Sequence, residues 1–355
     1  MIIGLHYLPA IDATIPYFLH QTTSLISITR INLASQLIEQ PTPTMTFDKV
    51  IVFGPTGNIG SITAQTASKK GAKVYLAMRD PKKAIPGLTQ EAEQAANYER
   101  LQADLTDAES IRAAVQKSGA QAAFLYLAFS SQDHMLSTFQ ALKDGGIQHV
   151  VFLSSFTVPR DGLEDVQAAD MISFVHAQAE LSLRKVFAKE QLVAIRPGSF
   201  ATNALHNKSG IDARKVKILS SERVSDWITN EDMGEVSGTV LVEGQRDGQD
   251  VIYLFGPEMV TQKSAFQTIG KVLGEEIDVV DVDGEEALQE YLKGGMPEPI
   301  AKYLIGLIEK TGSNGGGMDL VPGRHEEGVA NVKKYTGHQA LGFEEWAGRN
   351  KSMFT

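Results

Sequence analysis

Residues 54 to 60 read Gly54-Pro-Thr-Gly57-Asn-Ile-Gly60, directly after the apolar run KVIVF and directly before a stretch with no further glycine until Gly71. A strand, a tight glycine turn and a helix within one βαβ unit form a device for holding a diphosphate, because backbone amides and the helix N-terminus offer partial positive charge to its oxygens. On this reading Gly54 permits the turn, Gly57 lets the amides approach the ligand, and Gly60 lets helix and sheet pack closely. Thr56, Asn58 and Ile59 complete the candidate cradle. The competing reading is a turn and nothing more. The spacing, two residues between the first glycines where one is commonest, departs from the usual dinucleotide fingerprint.

The end of the next strand-like run extends the same logic. It carries Arg79, in AMRDPKK, followed by Asp80, Lys82 and Lys83. An acidic residue there would bind a free ribose diol, whereas a guanidinium pairs with a 2′-phosphate. Arg79 and Lys83 therefore favour NADP(H), with NAD(H) left open because Asp80 pulls the other way. The alternative is that Arg79 is a solvated residue after a strand.

The elements that must position these residues are legible as an alternation of short aliphatic runs with helical-period stretches. Candidate strands are 49–53, 73–78, 98–104, 122–128, 149–155, 192–198 and 251–256, with helices at roughly 58–70, 107–117, 133–144 and 170–189. Thr106 or Asp107 caps the second of these helices. The pattern predicts an α/β fold with a doubly wound, mostly parallel sheet, its connections long enough for right-handed crossovers. Beyond residue 200 the rhythm loosens. KVKILSS, residues 225–244 and EIDVVDVD read as short strands mixed with helices, 285–311 as helix broken at Gly294-Gly295-Met296-Pro297, and 311–317 as a flexible glycine-rich loop.

Composition excludes several function classes. The 355 residues carry a net charge of −10 and no cysteine, so thiolate metal sites, disulfides and cysteine nucleophiles are out, and no basic cluster suits direct nucleic-acid binding. No metal site is expected, since the histidines have no helical ligand spacing. No run approaches the roughly 18 apolar residues of a membrane span. A soluble, cytoplasmic monomer or homodimer is expected. Residues 1–44 read as an extension ending in Pro41-Thr-Pro43-Thr, with Met45 as a candidate functional start.

Several blocks, in order, carry a family resemblance: the glycine turn, HVVFLSSF, AIRPGSFATN, SDWITNEDMGEV, YLFGPEMVTQKSAFQTIGKVLG and YTGHQALGFEEWAGRN. Together they make residues 49 to about 350 similar to the NmrA-like branch of the atypical short-chain dehydrogenase/reductases. The resemblance implies a Rossmann-like domain over 45–200 and a smaller α/β substrate or partner domain over 201–355, with 251–256 returning to the main sheet. It also implies a cofactor laid across the strand ends, with Asp104 and Leu105 at the adenine and Ala128, Phe129, Ser154, Pro197, Gly198 and Phe200 further along. Tyr126, Phe129 and Phe200 would wall the nicotinamide and acceptor pocket, core packing being the other reading of Tyr126.

Typical members of the wider group use a Ser or Thr after the fifth strand and a Tyr-x-x-x-Lys pair as proton donor. Ser154 and Ser155 meet the first requirement, but Phe174 falls at the tyrosine position and Gln178 at the lysine position. Ordinary carbonyl reduction is thereby disfavoured. A quinone or enone could still accept hydride with only a hydrogen-bond donor, for which Ser155, Gln178 and His176 are candidates. The other reading of His176, and the favoured one, is a surface residue of its helix. The expectation is an NADPH-dependent oxidoreductase acting on a hydrophobic, conjugated small molecule. The alternatives are a non-catalytic NAD(P) sensor that binds a protein partner, and a non-redox isomerase or cyclase.

Overall fold

The computed structural model describes residues 46–96, 98–312 and 323–355. The N-terminal extension, the candidate start at Met45 and the glycine-rich tract beyond Gly312 lie outside the described residues.

Seven parallel strands form the central sheet: β1 (Lys49–Phe53), β2 (Lys73–Met78), β3 (Glu99–Gln102), β4 (Ala122–Tyr126), β5 (His149–Leu153), β6 (Leu192–Pro197) and β9 (Val251–Leu254), in the order β3-β2-β1-β4-β5-β6-β9. Between them run α1 (Asn58–Lys69), α2 (Gln90–Ala95), α3 (Ala108–Ser118), α4 (Leu136–Gly145) and α5 (Met171–Val186). The chain continues through α6 (Lys208–Asp212), β7 (Lys215–Ile218), β8 (Val224–Ser225), α7 (Asn230–Glu243), β10 (Val260–Thr261), α8 (Gln262–Leu273), β11 (Asp278–Asp281), α9 (Gly284–Lys293), α10 (Glu298–Thr311), α11 (His325–Thr336) and α12 (Phe343–Arg349). Two small sheets, β8 with β10 and β7 with β11, stand apart from the main one.

The apolar strands are long in β-branched residues because both faces are covered. Along β1, Val50 and Val52 join one buried cluster, while Ile51 and Phe53 join the other. The first cluster lies with α1, α7 and α11, and the second with α3, α4 and α5. A third cluster, around Trp227, Phe266, Phe343 and Trp346, belongs to the C-terminal elements.

The mixture of short strands and helices expected beyond residue 200 is present, and after β8 Asn230–Glu243 form one continuous helix, α7, capped by Thr229, whose side chain accepts from Asp232 N. The small residues of α7 explain it. Gly234 and Gly238 lie one turn apart against Ile62 and Thr66 of α1, so close that a Cβ at either would displace those side chains. Helix α1 is thus held along its length by α7. Helix α4 starts at Leu136 instead of 133, because Ser131 and Asp133 bond the loop backbone and His134 and Met135 adopt positive φ. The short helix α2 was not anticipated, and most strands end one or two residues earlier than their apolar runs.

Candidate functional site

At the carboxyl end of β1 the chain turns through Gly54, whose φ of +72° suits glycine and whose Cβ would collide with the ring of Tyr126. Gly60 is needed for a different reason from the one its spacing suggested: a Cβ there would strike the Gly54 carbonyl of the turn itself. Gly57 is the informative glycine. Its backbone is extended (φ −89°, ψ 159°), any residue adopts that conformation, and a Cβ would meet only the Gly54 carbonyl oxygen at 3.5 Å. The protein fold does not require glycine here, and the space it leaves is open.

The first backbone bond of α1 runs from Ser61 N to the Gly57 carbonyl at 2.9 Å, so the amides of Asn58, Ile59 and Gly60 have no intrahelical acceptor. No side chain caps this helix, unlike α2, α3, α7, α8 and α9, where a Thr or Asp does so. Three donors at a helix N-terminus, unpaired among the described residues and beside a glycine that leaves room, fit a diphosphate. The Ile59 side chain itself packs toward the core, leaving its amide as its contribution.

A cleft of about 670 Å³ opens from this turn along the strand ends. It brings together Gly54, Thr56, Arg79, Lys83, Asp104, Leu105, Ala128 and Phe129 of the predicted set, with Asp80, Thr106 and Tyr126. Arg79 and Lys83 are exposed on one wall. The loop bearing them is fixed by a residue the sequence reading missed: Arg100 donates to the carbonyls of Pro81 (2.6 Å) and Lys83 (2.7 Å) while paired with Glu93. Asp80 accepts from Lys82 N at 3.0 Å, so its carboxylate is engaged within the loop. The Asp104 carboxyl is held below the usual carboxylate range by the Thr106 amide, with help from the Thr106 hydroxyl and the Arg79 charge. Leu105 supplies a buried apolar floor, and Asp107, not Thr106, caps α3. Tyr126, 42% exposed, and Phe129, 69% exposed, are cleft walls and not core.

The remaining predicted residues gather at the ends of β5 and β6 and on α5, outside that cleft's lining. Ser154 is buried, and its hydroxyl donates to Glu180 Oε1 at 2.6 Å. It is therefore committed to a structural pair and is not a free cofactor contact. Glu180 and Arg196 are both wholly buried and meet through two bonds, 2.9 and 2.6 Å, while Arg196 also donates to the Val158 and Pro159 carbonyls and to Tyr253 Oη. The sequence signal was present, since an arginine within the buried run LVAIRPG must be paired. Ser155 bonds Thr157 Oγ1 at 2.9 Å, and Gln178 is half-buried. Phe174 meets the His134 ring edge-on at 5.8 Å.

His176 is a correction to the surface reading. Only 9% exposed, it meets the ring of Phe129 edge-on at 6.2 Å, and its Nδ1 is buried without a partner among the described residues. Burial pushes its pKa down to about 4 despite the Glu180 charge, so the imidazole is neutral at neutral pH. Through Phe129 it touches the cleft.

Pro197 is the buried last residue of β6. Gly198 follows it, so tight against Asp226 that a Cβ would overlap the carboxylate. Asp226 accepts from Ser199 N (2.8 Å) and Gly256 N (3.1 Å), joining the loops after β6 and β9, and burial raises its pKa to about 6. Phe200 bridges Ile228 and packs on the core, so it backs the site and does not line the cleft.

These buried groups set an acid limit. His149, stacked on Phe47 at 5.2 Å with neither ring nitrogen bonded among the described residues, is pushed down to about 4 by burial, against the opposing influence of the Val240 backbone. For His149 and His176 the unfolded chain takes up protons first as pH falls below about 6.5, so stability is lost between about 6.5 and 4, roughly 3 kcal/mol for each. Asp226 acts oppositely and regains a similar amount over about 6 to 4. His149→Leu is expected to move the acid unfolding midpoint to lower pH. An unchanged midpoint in circular dichroism titrations would contradict this.

A parallel, doubly wound sheet with a glycine turn opening a helix and a cleft across the strand ends defines the Rossmann class of nucleotide-binding folds. The chain belongs to the NmrA-like family, whose family model matches residues 46–192. The nitrogen metabolite regulation-like protein bik4 of Gibberella fujikuroi is 32% identical over 326 residues, 86% of this chain and 98% of that protein. Among solved structures, the NADPH-dependent quinone oxidoreductase QOR2 of Escherichia coli complexed with NADPH has a TM-score of 0.64 at 18% identity, over 85% of this chain and 99% of that one. The Citrobacter sp. triphenylmethane reductase complexed with NADP(H) has a TM-score of 0.61 at 16% identity, with the same coverage. At these identities the two structures attest the fold. Among the described residues no helix is long and apolar enough to cross a membrane.

Proposed function

We propose that the protein is an NADPH-dependent oxidoreductase that passes hydride to a hydrophobic, conjugated acceptor such as a quinone, an enone or an aromatic metabolite. The observation that carries this reading is the uncapped N-terminus of α1, with three amides unpaired among the described residues and open space at Gly57, on a turn whose Gly54 and Thr56 line a cleft that also bears Arg79 and Lys83. The diphosphate would rest on the amides, the adenine on Leu105, and the 2′-phosphate on Arg79 and Lys83. Bound NADPH supplies the hydride. Residues 201–355 would form the acceptor side, with Ser155, Gln178 and the neutral His176 as hydrogen-bond donors to the developing oxyanion. The QOR2 and triphenylmethane reductase structures add support by analogy of fold.

Two measurements test it. Consumption of NADPH by the pure protein should accelerate with at least one member of a panel of quinones and enones, and complete inactivity across the panel would sink the catalytic reading. Arg79→Ala should weaken NADPH at least about tenfold by calorimetry while leaving NADH unchanged. Equal losses for both would remove Arg79 from 2′-phosphate recognition.

A second reading, a nucleotide sensor acting on a protein partner, is favoured by Phe174 and Gln178 at the positions of the usual proton donor and its lysine, and by the regulatory name of the bik4 relative. It predicts tight nucleotide binding without turnover, and a partner whose capture depends on the nucleotide.

A further inference from the structure

Tyr126 ends β4, and the four residues before it are buried. It is itself 42% exposed and lines the cleft together with Gly54, Thr56 and Arg79. The register of the sheet sets its position. Val52 of β1 lies opposite Phe124 of β4, so two residues on Tyr126 comes beside Gly54. The ring lies on that glycine with its hydroxyl end at the turn: a Cβ on Gly54 would strike Cε1 and stand 3.1 Å from Oη.

Packing alone does not account for this placement. An aliphatic side chain would cover Gly54 as well, and an aromatic ring left half in water forfeits much of what its burial contributes. The hydroxyl is also unclaimed. Among the described residues it bonds to no protein group, whereas the hydroxyls of Tyr253 and Tyr335 are held by Arg196 and Gln249. A ligand that fills the cleft takes the Tyr126 hydroxyl out of water, and a buried phenol needs a partner.

The sheet order says which part of a dinucleotide meets it. Strands β2 and β4 flank β1 on opposite sides, so Arg79 and Tyr126 approach Gly54 from opposite walls. Between the walls stands the turn, where Gly57 N donates to the Gly54 carbonyl at 3.1 Å and the amides of Asn58, Ile59 and Gly60 follow. The phenol therefore faces the diphosphate cradle from the side away from the 2′-phosphate wall.

We infer that the Tyr126 hydroxyl donates a hydrogen bond to the diphosphate of the bound dinucleotide, completing the amide cradle from β4. The inference rests on the cofactor reading above and deepens it, giving Tyr126 a phosphate contact in place of the acceptor wall expected of it. A neutral donor at the diphosphate serves NADPH and NADH alike. It sets affinity for both and leaves the choice between them to Arg79.

Tyr126→Phe deletes one hydroxyl that makes no protein bond, so the variant should melt with wild type. Calorimetric titration of the full chain should show NADPH, NADH and ADP-ribose each weakened about tenfold, with the preference between NADPH and NADH unchanged. Phosphorus NMR of bound NADP⁺ reads the phosphates separately. The diphosphate resonances should move between wild type and Tyr126→Phe, and the 2′-phosphate resonance should stay in place. Undiminished affinity for all three nucleotides, a loss confined to NADPH, or a weakened complex whose diphosphate resonances do not move would each overturn the inference. A wild-type protein that binds none of the three would sink the nucleotide reading and the inference with it, whereas wild-type binding with no loss in the variant sinks the inference alone.

Discussion

Gly57→Asp is expected to yield a protein that melts no lower than wild type and binds NADPH at least about 100-fold more weakly. The two halves of that result come from one piece of geometry. Gly57 is the N-cap of α1 in an extended conformation that aspartate adopts freely, and a Cβ there meets nothing closer than the Gly54 carbonyl oxygen at 3.5 Å. Aspartate is among the best N-cap residues and gains a few tenths of a kcal/mol over glycine by accepting from the first-turn amides. Those are the same amides a diphosphate needs, and the carboxylate would add charge repulsion to steric exclusion. A variant that loses stability as well as binding would mean that Gly57 serves the fold. A variant that keeps its NADPH affinity would mean that the diphosphate lies elsewhere.

Glu180→Ala is expected to cost about 3–5 kcal/mol of stability. The substitution leaves the Arg196 guanidinium, wholly buried, without the two bonds that neutralise it, and frees the Ser154 hydroxyl as well. This pair fastens α5 to β6 and to the loop after β5, so the His176 ring and the Gly198 loop depend on it for position. Thermal or denaturant unfolding measures the loss, and a change below about 1 kcal/mol would show that the pair holds nothing together.

Much of the fold was legible because its strands are buried on both faces and its helices are not. Runs such as KVIVF and HVVFL cannot be amphipathic, and the turn that follows the first of them carries glycines for reasons visible in the spacing. Residues 225–244 could be read only as a mixture of strand and helix because α7 is buried almost all round and so lacks the polar stripe that marks a surface helix. Asp104, Leu105 and Phe129 were named through the family resemblance, whereas the cleft residue Arg79 could be named from its strand end, since a parallel sheet fixes where each strand delivers its next residue. Side-chain partners could not. Nothing in LSS says that Ser154 turns to Glu180, and nothing in SDWITNED distinguishes Asp226 from the caps around it. His176 was ambiguous because burial of a helix face depends on what covers it, here the exposed ring of Phe129. Arg100, which steadies the Arg79 loop through the Pro81 and Lys83 carbonyls, lies inside the strand-like run 98–104 with no motif around it to mark it.

The central claim is that the α1 N-terminus and the Arg79 wall bind a phosphorylated dinucleotide. Calorimetric titration of the purified protein with NADPH, NADP⁺, NADH and NAD⁺ tests it most directly. The account predicts one site per chain, with NADPH or NADP⁺ binding at least about tenfold more tightly than its unphosphorylated counterpart. No binding by any of the four nucleotides, or a preference for NADH and NAD⁺, would contradict it.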